Sequence, residues 1–160
     1  MEIVVNEWVF DGNHETTKAI LRFMSQTDFE GKEVIDIGCG SGILTVYASE
    51  LGAKHITAVD SDSRAVENTR QNCERNEVHN AEVYWTDFME TDLKADILIA
   101  NLPRENAHFC MPKMAESVNK GGIIITSWLK TLPSITEWGD IIDEYDGIEY
   151  DSYVLKPKQT

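Results

Sequence analysis

The sequence predicts an α/β fold: a doubly wound, mostly parallel sheet of six or seven strands with helices on both faces. Three observations carry this. Short apolar runs of strand length alternate with segments whose apolar residues recur at helical spacing, the pattern of parallel strands joined by crossover helices. The run Val34-Ile35-Asp36-Ile37 opens directly into Gly38-Cys39-Gly40-Ser41-Gly42, and a helical pattern starts at Ile43 without a gap. Asp60 then closes the next apolar strand, where a Rossmann-like sheet presents a carboxylate to a ligand.

Taken in order, the first helix runs from about Glu15 to Ser25 with Ala19, Ile20, Phe23 and Met24 on one face, and Asp28 to Lys32 forms a turn. Strand one is Glu33 to Ile37. The helix from Ile43 to Leu51 stops at Gly52, which can take the left-handed conformation that helix ends use. Strand two is His55 to Val59, and the next helix starts at Ser61 or Asp62, both good caps, and runs to about Arg75. Strand three is Glu82 to Trp85, followed by Thr86-Asp87-Phe88. Strand four, Ile97 to Ala100, leads into Asn101-Leu102-Pro103. A helix from about Glu105 to Asn119, strained or broken at Pro112, precedes Gly121-Gly122 and strand five, Ile123 to Ser127. Pro133 opens a last helix to about Tyr145, and Ile148 to Leu155 is one final extended segment. Trp85 is expected in the core, and Trp128 either covers apolar surface or contacts substrate.

A chain of 160 residues with 42% hydrophobic content supports one core. A single domain over 1–160 is expected, with 1–30 as an N-terminal lid and helix segment. The net charge of −14 is spread along the chain, with no cluster of Lys and Arg, which counts against a nucleic-acid partner. Three cysteines, Cys39, Cys73 and Cys110, form no C-x-x-C pair and read as reduced thiols rather than a disulfide or metal set. His55, His79 and His108 stand at no metal spacing. No basic leader and no membrane-length apolar run is visible, so a cytoplasmic protein without a membrane partner is expected. No feature of the sequence speaks to oligomeric state.

The spacing Asp-x-Gly-x-Gly-x-Gly, with Asp36 on the strand, differs from the dinucleotide pattern Gly-x-Gly-x-x-Gly. An anion beside a pyrophosphate repels it, so a cationic ligand fits better. This stretch resembles motif I of the class I S-adenosylmethionine-dependent methyltransferases. The resemblance implies S-adenosylmethionine as cofactor, with Gly38, Gly40 and Gly42 forming the turn whose backbone runs against it. Asp36 would lie near its methionine portion through the loop, and Asp60 would accept both ribose hydroxyls. Ser61 or Asp62 either flanks adenine or caps the helix. Thr86-Asp87-Phe88 resembles the family's adenine-contacting acid and its neighbour, which assigns Asp87 and Phe88 to the same ligand.

Ala100-Asn101-Leu102-Pro103-Arg104 resembles motif IV of amino-group methyltransferases, in which Asn101 would hold the acceptor nitrogen with its lone pair toward the methyl. Arg104 stands where enzymes acting on planar amino groups carry an aromatic ring. Upstream, His14-Glu15-Thr16-Thr17 resembles the segment before motif I in the bacterial methyltransferases of large-subunit ribosomal proteins, where it helps close over the cofactor. That implies roles for His14, Thr16 and Thr17, the alternative being helix capping by Asn13 or Thr16. The similarity runs from about Phe10 to Ser127. Asp11-Gly12-Asn13 replaces the family's Gly-Thr-Gly, and its separate domain for capturing the ribosomal protein has no counterpart in these residues. The resemblance therefore implies fold and cofactor without a defined substrate. The expected function is methyl transfer to an amine of a protein or small molecule. The alternatives are methylation of a nucleobase or glutamine amide, or a non-catalytic cofactor-binding or interaction protein.

Overall fold

A computed structural model describes residues 1–9 and 14–159. The elements follow in the order α1 (His14–Ser25), β1 (Glu33–Ile37), α2 (Ile43–Glu50), β2 (His55–Asp60), α3 (Ser63–Arg75), β3 (Ala81–Trp85), β4 (Ala95–Ala100), α4 (Asn106–Ser117), β5 (Val118–Leu129), β6 (Gly139–Tyr145) and β7 (Tyr150–Pro157). They build one seven-stranded sheet in the order β3-β2-β1-β4-β5-β7-β6. The first five strands run parallel, and β7 lies antiparallel between β5 and β6.

The two cores follow from strand alternation. Successive side chains point to opposite faces, so Leu98 and Ala100 join Ile35, Ile124 and Leu155 under α4, whose Ala107, Met111 and Met114 face the sheet. Ile97 and Ile99 go to the other face with Val34, Ile125 and Val154, where α1 and α2 cover them. The four residues expected on one face of α1, Ala19, Ile20, Phe23 and Met24, are all buried. The described part of 1–30 therefore includes a helix of the core.

The expected helix from Pro133 to Tyr145 does not form. A single 3-10 turn at Ile135–Glu137 is followed by β6, the strand missing from a six-strand count. Ile135, Trp138, Ile141 and Ile142 happen to stand at helical spacing, but β6 is an edge strand on which Ile141 and Ile142 are both exposed, so no period-two signal marks it. A side chain at Gly139 would collide with the Lys156 carbonyl, which is why the strand can begin there against β7. Strand β5 also starts earlier than expected, at Val118, with a register shift opposite Ala95 to Ile97. Helix α4 continues through Pro112 to Ser117.

Gly42 begins α2 with φ of 89°, and a Cβ there would lie 3.0 Å from the Thr69 backbone of α3. Gly42→Ala is expected to lower stability by about 1–3 kcal/mol, from left-handed strain plus displacement of α3. Urea unfolding measures it, and an unchanged midpoint would show that this contact can relax.

Candidate functional site

The carboxyl ends of β1, β2 and β4 and the segment after β3 meet at one crevice of about 790 Å³. Open parallel sheets bind ligands there, because crossover helices depart to opposite faces and leave a gap. The glycine turn forms its floor. Gly38 and Gly40 have φ of 66° and 56°, and a Cβ on Gly38 would stand 2.6 Å from the Leu102 side chain. The turn after β1 thus touches the turn after β4 at a point where only glycine fits.

Asp60 fixes that floor from β2. Its Oδ2 accepts the Gly40 N–H at 3.0 Å and its Oδ1 accepts the Asp62 N–H at 2.9 Å. Each oxygen keeps a lone pair for a further donor in the crevice. Asp62 caps α3 by accepting the Arg64 N–H and is gripped by the Arg64 guanidinium, which leaves it the capping role while its residue still lines the crevice beside Ser61. Asp87 accepts the Met89 N–H at 3.0 Å and caps the short turn after β3, and Phe88 reaches the crevice from a 4% exposed position in the core.

Asp36 lies under the turn rather than on the crevice wall. It is 1% exposed, its Oδ2 accepts the Thr45 hydroxyl at 2.7 Å, and its Oδ1 has no hydrogen-bond partner among the described residues. Burial pushes its carboxyl up to about 7, against the pull of the Thr45 hydroxyl and with a further push from Asp60. Gly42 likewise serves packing against Thr69 and is absent from the crevice wall.

Asn101 is the most constrained polar group at the site. Thr16, 1% exposed, donates its hydroxyl to Asn101 Oδ1 at 2.7 Å, and Asn101 Nδ2 donates to the Thr17 hydroxyl at 2.9 Å. The two threonines of α1 therefore set the rotation of the amide that follows β4. His14 is in α1, but its side chain lies outside the described residues, as do Phe10, Asp11, Gly12 and Asn13. Two further residues that sequence reasoning passed over hold this turn. Ser127 accepts the Leu102 N–H and donates to the Leu102 carbonyl, both at 3.0 Å. The Tyr150 hydroxyl accepts the Arg104 N–H at 2.8 Å, with Arg104 at a left-handed φ of 53°. Both come from strands on the far side of β4, and neither sits in a recognisable string; only pairing of β7 with β5 brings Tyr150 to the crevice.

Trp85 is 68% exposed, not in the core, because β3 is the other edge of the sheet; its indole N–H donates to the Ser61 carbonyl at 2.9 Å. Trp128 resolves to the packing alternative, 3% exposed and edge-on to His108. All three cysteines are free, and burial pushes each thiol above its ordinary range, so none is primed as a nucleophile. Among the described residues no group of His, Cys, Asp and Glu is arranged to hold a metal, and no helix is long and apolar enough to cross a membrane.

The donor set suits a ligand with hydroxyls and amines. Asp60 and Asp87 line it with carboxylates, and Arg104 is the one cationic side chain on the described wall. Among the described residues that line the crevice, Arg104 of the turn after β4 is the only cation a pyrophosphate would meet, and the glycine turn itself supplies none.

The family described as ribosomal protein L11 methyltransferase (PrmA) matches residues 11–131. The ribosomal protein L11 methyltransferase of Shewanella baltica (strain OS185) is 43% identical over 119 residues, covering 74% of this chain and 41% of that relative. The chain thus spans about two fifths of its length. Among solved structures, the ribosomal protein L11 methylase of Lactobacillus delbrueckii subsp. bulgaricus superposes with a TM-score of 0.87 at 24% identity, covering 98% of this chain and 86% of that one. A tRNA methyltransferase of M. jannaschii gives 0.79 at 21% identity, with coverages of 95% and 52%. At these identities the two structures speak to fold, which they share with this seven-stranded sheet.

The raised carboxyl of Asp36 has a consequence for stability. Between its ordinary value near 3.8 and about 7, the folded state keeps a proton that the unfolded chain releases, so this group's contribution falls as pH rises through that window and is level above it. Asp36→Asn is expected to remove that slope, making the variant more stable than the parent by a few kcal/mol at pH 8 but not at pH 4. Denaturant titrations across pH check it; a constant difference between the two proteins would refute it.

Proposed function

The chain belongs to the ribosomal protein L11 methyltransferase family, and on that premise we propose that it binds S-adenosylmethionine in the crevice and transfers a methyl group to an amine of a protein or small molecule. The observation that carries the reading is the fixed amide of Asn101 on the same crevice wall as Asp60 and Gly40. In this proposal Asp60 takes the ribose hydroxyls on its remaining lone pairs, Asp87 and Phe88 take the adenine with Ser61 alongside, and the Gly38 to Gly42 backbone passes the methionine portion. Asp36 acts from beneath, through the turn. Bound there, S-adenosylmethionine supplies a methyl group already activated on a sulfonium.

The protein's share is then alignment and exclusion of water. Asn101 Oδ1, with one lone pair on the Thr16 hydroxyl, offers the other to an acceptor N–H, which turns the amine's lone pair toward the methyl. Thr16 and Thr17 serve as positioning residues for that amide. The product ammonium loses its proton to water. The relatives are named for a ribosomal protein, which favours a protein acceptor, and a net charge of −14 suits a basic one. Cytoplasmic residence belongs to the same proposal. A planar amino acceptor is the second reading. Its support is Tyr150, which brings an aromatic ring to the crevice wall from β7 although position 104 lacks one.

Titration calorimetry with S-adenosylhomocysteine, with NADH as the control ligand, tests the cofactor. Binding that weakens by about tenfold or more in Asp60→Ala, or roughly 1.4 kcal/mol, is expected; binding of NADH alone would overturn the proposal. For the acceptor side, Asn101→Ala should retain cofactor affinity within about threefold while methyl transfer to an amine falls by about a hundredfold. Loss of cofactor binding in that variant would remove Asn101 from the acceptor role.

A further inference from the structure

Helix α3 carries Asn68 and Asn72 on successive turns of one face and ends at Asn76, its C-cap, four residues on, although asparagine is among the poorer helix formers. Each of them bonds to the main chain of the N-terminal segment. Asn76 accepts the Glu2 N–H and donates to the Glu2 carbonyl, both at 2.7 Å. Asn72 does the same to Val4, at 3.0 and 2.8 Å. Asn68 accepts the Asn6 N–H and donates to the Val4 carbonyl, both at 2.8 Å. The steps match: four helical residues advance about 6.0 Å and two extended residues about 6.6 Å. Side-chain amides thus give residues 2–6 the pairing that a neighbouring strand would give, with the segment antiparallel to the helix. Val4 and Val5 remain exposed, so the grip is on peptide groups rather than side chains.

The same helix face holds the glycine turn. Asn72 spends its second N–H on the Ser41 carbonyl at 2.7 Å, and the Thr69 hydroxyl donates to the Gly40 carbonyl at 2.9 Å. Asn68 and Asn72 are wholly buried. With the Arg75 guanidinium donating to its Oδ1 as well, Asn72 uses all four of its hydrogen-bonding positions. Its amide cannot turn toward one neighbour without releasing the other.

We infer that Asn72 is a positioning residue for the cofactor turn, joining the N-terminal strap to Ser41 through one amide, so that the turn keeps its binding conformation only while the strap is seated. The inference rests on the cofactor reading above. An unseated strap leaves buried amide groups without partners, and water entering to satisfy them frees the Ser41 carbonyl.

The test uses the chain of residues 1–160 and two readouts: affinity for S-adenosylhomocysteine, and hydrogen exchange at the Gly40 and Gly42 amides. Asn72→Ala and Val4→Pro, which removes the N–H at Val4 from an exposed segment, should each weaken binding about fivefold and speed exchange at both amides. Asn76→Ala, at the far end of the row with no contact to the turn, and Val4→Ala, which keeps the main chain, should change both readouts by less than about twofold. Should Asn72→Ala fail to fold, Val4→Pro decides. Parental affinity and exchange in Val4→Pro would overturn the inference, as would losses that track melting temperature equally in all four variants. If the parent itself does not bind S-adenosylhomocysteine, the cofactor reading fails, and exchange at Gly40 and Gly42 still decides whether the strap holds the turn.

Discussion

Everything at the crevice depends on the glycine turn after β1 being held in a left-handed conformation that glycine adopts at least cost. Three left-handed glycines in five residues have no stability of their own; glycine loses more conformational freedom on folding than any other residue. The turn is kept in place by bonds from outside it. Asp60 holds the Gly40 N–H, Thr69 the Gly40 carbonyl and Asn72 the Ser41 carbonyl, while the Val59 carbonyl accepts the N–H groups of Gly38 and Cys39. Bare backbone is thus exposed to a ligand without becoming mobile. Asp60 takes part in both, since its oxygens pin the turn and face the crevice.

The turn after β4 is built on the same plan, a short turn after a central strand immobilised by distant side chains. Asn101 takes its orientation from two hydroxyls of α1, Leu102 its position from Ser127, and Arg104 its backbone from Tyr150. A Cβ at Gly38 would strike the Leu102 side chain, so the turn after β1 and the turn after β4 stand in direct contact.

Both signs of charge line the crevice, Asp60, Asp62 and Asp87 on the acidic side of the balance and Arg104 on the basic. Asp36 is not among them: it is buried beneath the turn with one oxygen unpartnered among the described residues, and burial pushes its carboxyl up to about 7.

The parallel half of the sheet was legible in the sequence, because β1, β2, β4 and the second half of β5 are largely buried apolar strands and the ends of β1, β2 and β4 are marked by glycine, aspartate and asparagine; the exposed edge strand β3 was legible from its valine and aromatic residues and the Thr86-Asp87 turn that follows it. The sequence by itself also determined which turns meet, since strands in this order must bring Gly38, Asp60, Asp87 and Asn101 to one end. The antiparallel edge was not legible. The exposed β6 has no need of alternation, and Ile135, Trp138 and Ile142 across this stretch stand at helical spacing. Nor could the sequence say what Thr16 and Thr17 hold, or that Ser127 and Tyr150 hold anything. Those bonds join residues separated by 25 to 85 positions, and a hydroxyl carries no mark of its partner until packing places the two within 3 Å. The asparagines of α3 were visible as residues, but their common task was decided only when the N-terminal segment was laid along the helix, because what they recognise is main chain, which every sequence has.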